Sequence, residues 1–395
     1  MSKLALLGGD PVRTKLWPPW PDGREQDASA VQEVVASGQW WHHGGSQVAQ
    51  FEQEFAEYHG AAHAVATSSG TTALATALLA LGLEAGEEVV VPAYTFQATA
   101  TAVLLARGIP VFADVQADTL NLDAEAAARS ITPRTRAIIP VHFAGLPADL
   151  ERLLPVAATQ GALVLEDACQ AHGAVYRGRK VGAIGAAGGF SFQASKNLCA
   201  GEGGAVLTDD PEVAARAQAI RDCGRVPGQT CDDSHILGYN FRMTEMQGAL
   251  LRSRLPLLEA ETELRWRHGR WLTEKLASLP GLTPLDPSPR PADRRAYHLY
   301  AMRYRSESLG GLPRDRFMQA LAAEGVPCRP GYEAPLYRDP AFRQGSFRAA
   351  DCPAAEELCR EVVWLFHSLL LGGDEDVADI VRACDKVVGC HRDLL

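Results

Sequence analysis

Between Val89 and Asp222 the chain alternates short apolar runs with helix-length segments, and this alternation limits the fold more than any other feature. Val89–Pro92, Ile109–Val115, Thr135–His142, Ala162–Asp167, Gly189–Gln193 and Gly204–Thr208 read as buried strands. Gln97–Arg107, Leu150–Gln160 and Pro211–Asp222 read as the helices between them. Strands that are apolar on both faces and joined through helices form a largely parallel sheet with both faces covered, an α/β architecture. Ligands of such sheets bind beyond the carboxyl ends of the strands. Asp167, which closes ALVLED, is therefore the first residue to inspect for chemistry.

The flanks of this region define the expected organisation. Residues 1–30 read as an N-terminal arm, because LWPPWPDG (Leu16–Gly23) cannot form a regular helix interior. Ala28–Ser37 is helix-like, and Gln47–Tyr58 places Val48, Phe51, Phe55 and Tyr58 at helical spacing. Thr244 to about Ala277 reads as one long helix with a break near Pro256. Beyond LPGLTPLDPSPRP the pattern changes to a strand at His298–Arg305 and helices at Arg314–Glu324, Cys352–Leu365 and Asp374–Val388. The expected division is the arm, a large domain over 31–261 and a smaller α+β domain over 262–395.

Composition removes several classes. With 47% apolar and 22% charged residues, the chain is neither disordered nor fibrous. A net charge of −10 and no Lys/Arg run make it a poor binder of nucleic acid or anionic membranes. No apolar stretch reaches the roughly 18 residues needed to span a bilayer. The nine cysteines lack CxxC spacing, which points to reduced thiols in a cytoplasmic protein and to no metal site.

Lysine is scarce: six residues against 32 arginines. Lys3, Lys15, Lys180, Lys275 and Lys386 sit in arm, turn or helix-surface settings. Lys196 lies instead in GGFSFQASKNLCAGEGGAVLTDD, with no acidic residue within five positions. A lysine without a local ion pair, in a Gly/Ala/Ser-rich segment between strands, points into a site, and burial there makes its amine nucleophilic towards carbonyls. A lysine snorkelling from a loop accounts for this segment equally well.

The remaining parts of a pyridoxal phosphate site occur in the chain as well. Asp167 is the candidate partner of the pyridinium nitrogen; its neighbour Glu166 faces the other side of the strand. Gln170 is placed for the phenolic oxygen. Thr67–Thr72, with Ser69, Gly70 and Thr71, opens the helix Ala73–Leu81 and offers small residues and free N–H groups to a phosphate. Ser191 is a further phosphate ligand. Tyr94 or Phe96, just past Pro92, supplies a stacking face. Each feature alone has an ordinary alternative, such as a helix cap or a core aromatic. Their joint occurrence at strand ends does not.

On these residues the chain resembles the DegT/StrS-type aminotransferases, pyridoxal phosphate enzymes that aminate keto-sugars and keto-cyclitols. EDACQAHGAVYRGRKVGAIG (Glu166–Gly185), FSFQASKNLCAGEGGAVLTDD (Phe190–Asp210) and GYNFRMTEMQGALL (Gly238–Leu251) carry the resemblance. It implies the type I aminotransferase fold, with a seven-stranded-type sheet between helices, working as a homodimer with shared active sites. It makes Lys196 the Schiff-base lysine, Asp167 the ring-nitrogen partner, Phe96 the stacking ring and Gln170 the neighbour of the phenolic oxygen. Ser69, Gly70, Thr71 and Ser191 then hold the phosphate, and Asn240 reaches the phosphate in the neighbouring subunit. GQWWHHGG, FSFQASK, GYEAPLYRDPAF and VVWLFHSLLLGG are similar to the branch containing 3-amino-5-hydroxybenzoate synthases and glutamine-dependent inosose aminotransferases. The benzoate synthases, however, carry His where this chain has Gln170.

The resemblance implies transfer of an amino group from L-glutamine or L-glutamate to a keto-cyclitol or keto-sugar. Trp41, His42, His298, Tyr332 and His367 are candidates for lining the substrate pocket. Nucleotide-linked keto-sugar amination and 3-amino-5-hydroxybenzoate synthesis are alternatives, followed by a non-catalytic pyridoxal-binding regulator. The related dehydratases carry His at the position of Lys196, and no GxGxxG after the first strand supports a nicotinamide enzyme.

Overall fold

A computed structural model describes residues 3–226, 234, 236–285 and 292–395. Helices α1 (Glu25–Ser37) and α2 (Gln47–His59) lead into β1 (His63–Thr67), α3 (Gly70–Ala80), β2 (Glu88–Pro92), α4 (Ala98–Leu105) and β3 (Ile109–Ala113). Next come α5 (Ala124–Ser130), β4 (Thr135–Ile138), α6 (Leu150–Ala158) and β5 (Leu163–Asp167). A hairpin of β6 (Val175–Tyr176) and β7 (Arg179–Lys180) precedes β8 (Ala187–Ser191), β9 (Gly204–Thr208) and α7 (Pro211–Arg221). After α8 (Glu245–Arg254) and α9 (Leu258–Leu276) come β10 (Leu282–Pro284), β11 (Leu299–Tyr304), α10 (Arg314–Ala323) and β12 (Arg329–Pro330). The order ends with β13 (Arg348–Ala349), α11 (Pro353–Glu361), β14 (Val362–Phe366) and α12 (Asp374–Gly389).

The main sheet has the order β1-β9-β8-β5-β4-β2-β3-β13. Only β9 runs against the rest; it is antiparallel to both β1 and β8. Seven strands match the expected sheet, and the two-residue β13 joins its edge beside β3. A second, antiparallel sheet has the order β10-β11-β14-β12.

The sheet is buried on both faces, as its uninterrupted apolar strands require. Val65, Val89, Val91, Phe112 and Leu165 pack with α3 and α4 on one side. Val90, Val111, Ile138, Val164 and Leu207 pack with α2 and α6 on the other. Strand β8 reads AGGFS because α3 lies hard against it: a Cβ on Gly189 would sit 2.6 Å from Leu74 Cδ2.

Several elements differ from the sequence reading: α5, β6, β7, β10, β12 and β13 had no counterpart in it, and two further differences bear on the sheets. The expected helix Cys352–Leu365 stops at Glu361, and Val362–Phe366 is a strand between β11 and β12. Its run VVWLF is β-branched and apolar on both sides, the signature of a buried central strand. The strand His63–Thr67 had no counterpart in the sequence reading, because HAVAT has few large apolar residues. The expected break near Pro256 is a 3₁₀ turn, Leu255–Leu257, between α8 and α9.

The first residues do not stand apart from the fold. Leu4 packs in the core of the second sheet with Phe317, Leu321 and Ile380. Buried Arg13 pairs with Asp376 at 2.8 Å and Asp379 at 2.9 Å on α12. The Trp17 Nε1–H donates to the Gly325 carbonyl at 2.8 Å, and that of Trp20 donates to the Lys196 carbonyl at 3.2 Å.

Candidate active site

Strands β1, β2, β5 and β8 point the same way, so the residues just past their ends fall on one edge of the sheet. Topology thereby collects Ser69–Thr71, Tyr94–Phe96, Asp167–Gln170 and Ser191–Lys196, segments far apart in sequence.

Asp167 ends β5 and is buried. Its two carboxylate oxygens have separate partners: the Thr99 hydroxyl donates to Oδ2 at 2.8 Å, and the Cys169 N–H donates to Oδ1 at 3.1 Å. Thr99 lies on α4, and nothing in its sequence setting singled it out. Glu166, one residue earlier, faces away as strand alternation requires. There the N–H groups of Gly182, Ile184 and Gly185 each donate to it at 2.7 Å, and His142 Nε2 lies at 3.0 Å. Burial alone would raise its pKa, but the His142 hydrogen bond and charge and the backbone donors outweigh that and hold it below the usual carboxylate range. Glu166 is thus a buried anchor for the 182–185 turn, and Asp167 is the carboxylate on the side of the candidate residues.

The phosphate candidates adjoin one another. Ser69 is the N-cap of α3: its hydroxyl accepts from the Thr72 N–H at 3.2 Å, while the Ser69 N–H donates to the Thr72 hydroxyl at 2.9 Å. The first-turn N–H groups of Gly70 and Thr71 have no carbonyl partner within the helix. Gly70 abuts the end of β8 so closely that a Cβ there would lie 2.6 Å from Ser191 Cβ and 3.1 Å from its hydroxyl. A helix N-terminus, its glycine and a strand-end serine therefore converge on one spot.

Lys196 is half-buried. Burial lowers the pKa of its amine, and the nearby Cys169 and Asp167 offset this in part. Its Nζ lies 3.5 Å from Nε2 of buried His298. His367 stands beside His298, with ring centroids 5.8 Å apart, and its Nε2 lies 3.0 Å from the Ser195 carbonyl oxygen. Trp20 packs edge-on against His367 at 4.7 Å. Two of the five substrate candidates thus lie next to the lysine.

Gln170 is buried, and its side-chain oxygen accepts from the Ala144 N–H at 2.8 Å. Tyr332 adjoins it; burial, and secondarily the Asp167 charge, push its phenol up, while a hydrogen bond to Gln170 acts against them. Of the two stacking candidates, Tyr94 lies in the core against Tyr332 and Phe143, whereas Phe96 is 52% exposed.

Trp41, His42 and Asn240 form a second group. Arg221 Nη2 lies 3.2 Å from His42 Nε2, and His43 Nε2 lies 2.8 Å from Asp222. Asp222 bridges to exposed Asn240 and pairs with Arg242, whose guanidinium lies over the Trp41 ring at 5.8 Å. Burial, followed by the Arg221 charge, brings His42 down to about 4, so this imidazole is neutral at physiological pH. Within one chain, therefore, the sequence candidates separate into the lysine-centred edge and an arginine-rich surface.

Among the described residues, no group of three His, Cys, Asp or Glu side chains is placed to hold a metal ion. No helix among them is long and apolar enough to cross a membrane.

An L-glutamine:2-deoxy-scyllo-inosose aminotransferase of Micromonospora echinospora is 38% identical over 420 residues, covering 100% of both chains. An L-glutamine:scyllo-inosose aminotransferase of Streptomyces griseus is 38% identical, covering 100% of this chain and 99% of that protein. Among solved structures, a 3-amino-5-hydroxybenzoic acid synthase superposes with a TM-score of 0.89 at 34% identity, over 95% of this chain and 100% of the other. The profile of the DegT/DnrJ/EryC1/StrS aminotransferases matches residues 21–385, and the chain belongs to that family.

Proposed function

We propose that this chain is a pyridoxal phosphate-dependent aminotransferase that moves the α-amino group of L-glutamine to a keto-cyclitol of the scyllo-inosose type, in aminocyclitol antibiotic biosynthesis. One observation carries the cofactor assignment: a single edge holds a desolvated lysine amine, a buried aspartate and a helix N-terminus whose glycine leaves no room for a side chain beside Ser191. That set fits the aldehyde, the ring nitrogen and the phosphate of the cofactor. The donor and acceptor rest on the full-length relatives named for L-glutamine and 2-deoxy-scyllo-inosose.

When bound, the cofactor's protonated pyridine ring supplies the electron sink that acidifies the donor's α-carbon. Asp167, fixed by Thr99, would hold the proton on the ring nitrogen. The Lys196 amine anchors the cofactor and, once free, takes the proton from the donor's α-carbon. In the second half the roles reverse, with the ring ketone of the acceptor receiving the amine. Gly70, Thr71 and Ser191 would hold the phosphate, and exposed Phe96 would supply the stacking face.

We place the working unit as a homodimer. Asn240 is exposed beside a surface on which Trp41 is 51% and Leu237 70% exposed, an apolar patch suited to a second copy. In that arrangement Asn240, Trp41 and His42 complete the partner's site. The domain division, with its boundary after residue 261, belongs to the same proposal, and the 3₁₀ turn Leu255–Leu257 that separates α8 from α9 a few residues earlier supports it.

Borohydride treatment of the purified holoprotein should fix the cofactor covalently to Lys196, and Lys196→Ala should lose both this adduct and all turnover. The amine-loaded form, mixed with keto-cyclitols and nucleotide-linked keto-sugars, should recover its visible absorbance with 2-deoxy-scyllo-inosose or scyllo-inosose. Recovery only with a nucleotide-linked sugar would overturn the acceptor assignment, and an unlabelled Lys196 would overturn the cofactor assignment.

A further inference from the structure

His298 is the best-placed unassigned group on the functional edge. It enters from the second sheet, just before β11, and its imidazole faces the amine of Lys196 at 3.5 Å although 102 positions separate the two residues. Its other nitrogen, Nδ1, lies 3.4 Å from the Asn197 side-chain oxygen. The orientation of the Asn197 amide is fixed independently, because its Nδ2 donates to the Ala296 carbonyl at 2.8 Å. With the amide turned that way, its oxygen can only accept, so His298 Nδ1 carries the ring proton. A neutral imidazole protonated at Nδ1 presents a lone pair at Nε2, and that lone pair is what Lys196 meets. Burial, and then the Lys196 charge, hold the imidazole well below its ordinary pKa, which keeps it in this neutral form.

We propose that His298 is a positioning residue of the aminotransferase reaction: Nε2 accepts a hydrogen bond from the free Lys196 amine and aims the nitrogen lone pair of Lys196 at the donor's α-carbon. This rests on the assignment of Lys196 given above. No proton moves to the imidazole. The α-carbon proton becomes one of three on Lys196 Nζ, a second is held by His298, and the ammonium returns a proton in the next step. A flexible four-carbon side chain samples many rotamers once released, and a fixed acceptor removes that freedom. The chain Ala296 carbonyl, Asn197 amide, His298 imidazole, Lys196 amine thereby ties the lysine to the backbone just ahead of β11.

Two polar substitutions separate reach from polarity. In His298→Gln the amide oxygen extends to about the Nε2 position; in His298→Asn it falls short. Stopped-flow measurement of the half-reaction with L-glutamine should show His298→Asn slowed about ten- to a hundredfold, the low end of the range for acid–base groups. Its isotope effect with α-deuterated glutamine should rise, and its KM should stay near that of the wild type. His298→Gln should retain most of the rate. The borohydride adduct at Lys196 should persist in both. Equal rates for the two variants, whether both normal or both slow, would overturn the proposal, as would a change confined to KM. Should His298→Asn be insoluble, His298→Leu replaces it with the same expectations. Absence of the adduct in the wild-type protein is a different result, which overturns the cofactor assignment instead.

Discussion

The two adjacent carboxylates of β5 show how far a single residue can be read from sequence. Strand alternation separates Glu166 from Asp167 without any structure, and the observed partners follow suit: three backbone N–H groups and His142 for one, Thr99 and the Cys169 N–H for the other. The partners themselves were not legible, since Thr99, His142 and the glycine turn reach β5 only through the sheet. The depressed pKa of Glu166 has a consequence for stability. A carboxyl held lower in the folded state than in the unfolded one stabilises fully above the unfolded value of about 4.3, and this is lost as pH falls through the folded value. Glu166→Gln should therefore cost about 2–4 kcal/mol at neutral pH, the range for breaking a buried charged network. The gap to the wild type should narrow below about pH 4. Thermal melts from pH 3 to pH 7 test this, and a gap independent of pH would contradict it.

Elements were legible where their pattern was long and their residues large. Helix α2 and strands β2, β3 and β5 fall within a few residues of their expected bounds. The misses share a cause. HAVAT at β1 and the two-residue strands carry too little apolar signal, and VVWLF continues the apolar character of α11 without revealing the change from period 3.6 to an extended strand. Helix α3 begins at Gly70, not at the expected Ala73, because Ser69 and Thr72 cap one another. This start brings Gly70 against Ser191, and it makes the cradle sensitive to one methyl group. Gly70→Ala must push its Cβ out of a 2.6 Å contact, moving α3 away from β8. Cofactor affinity should fall at least tenfold, the equivalent of about 1.4 kcal/mol, while far-ultraviolet circular dichroism stays unchanged. A variant that titrates with pyridoxal phosphate as the wild type does would show that the contact is slack.

At the scale of the whole molecule, the linear division into arm, large part and small part hides how the pieces interlock. Residues of the expected small domain, among them Phe342, Ala355 and Leu358, pack into the core around β2 and β3. The N-terminal residues pack in the other direction, onto α10 and α12. None of this was legible, because a Pro/Trp-rich segment has no period from which to infer its resting place. Arg13 is the main fastener: its side chain is buried, and it neutralises Asp376, whose carboxyl Lys15 and Arg13 hold well below its usual range. Arg13→Met removes the buried cation shared by Asp376 and Asp379, leaving Lys15 and Arg382 as their partners, and should lower stability by about 1–3 kcal/mol, read as a drop in denaturation midpoint. An unchanged midpoint would mean that the segment is not fastened there.

The Trp20 indole shows what this interlocking does for the candidate site. Its N–H donates to the Lys196 carbonyl and its ring packs on His367, so a residue far from the sheet in sequence braces the backbone that carries the lysine. Trp20→Ala would leave that carbonyl without its indole donor, and the change should be felt at the Lys196 amine.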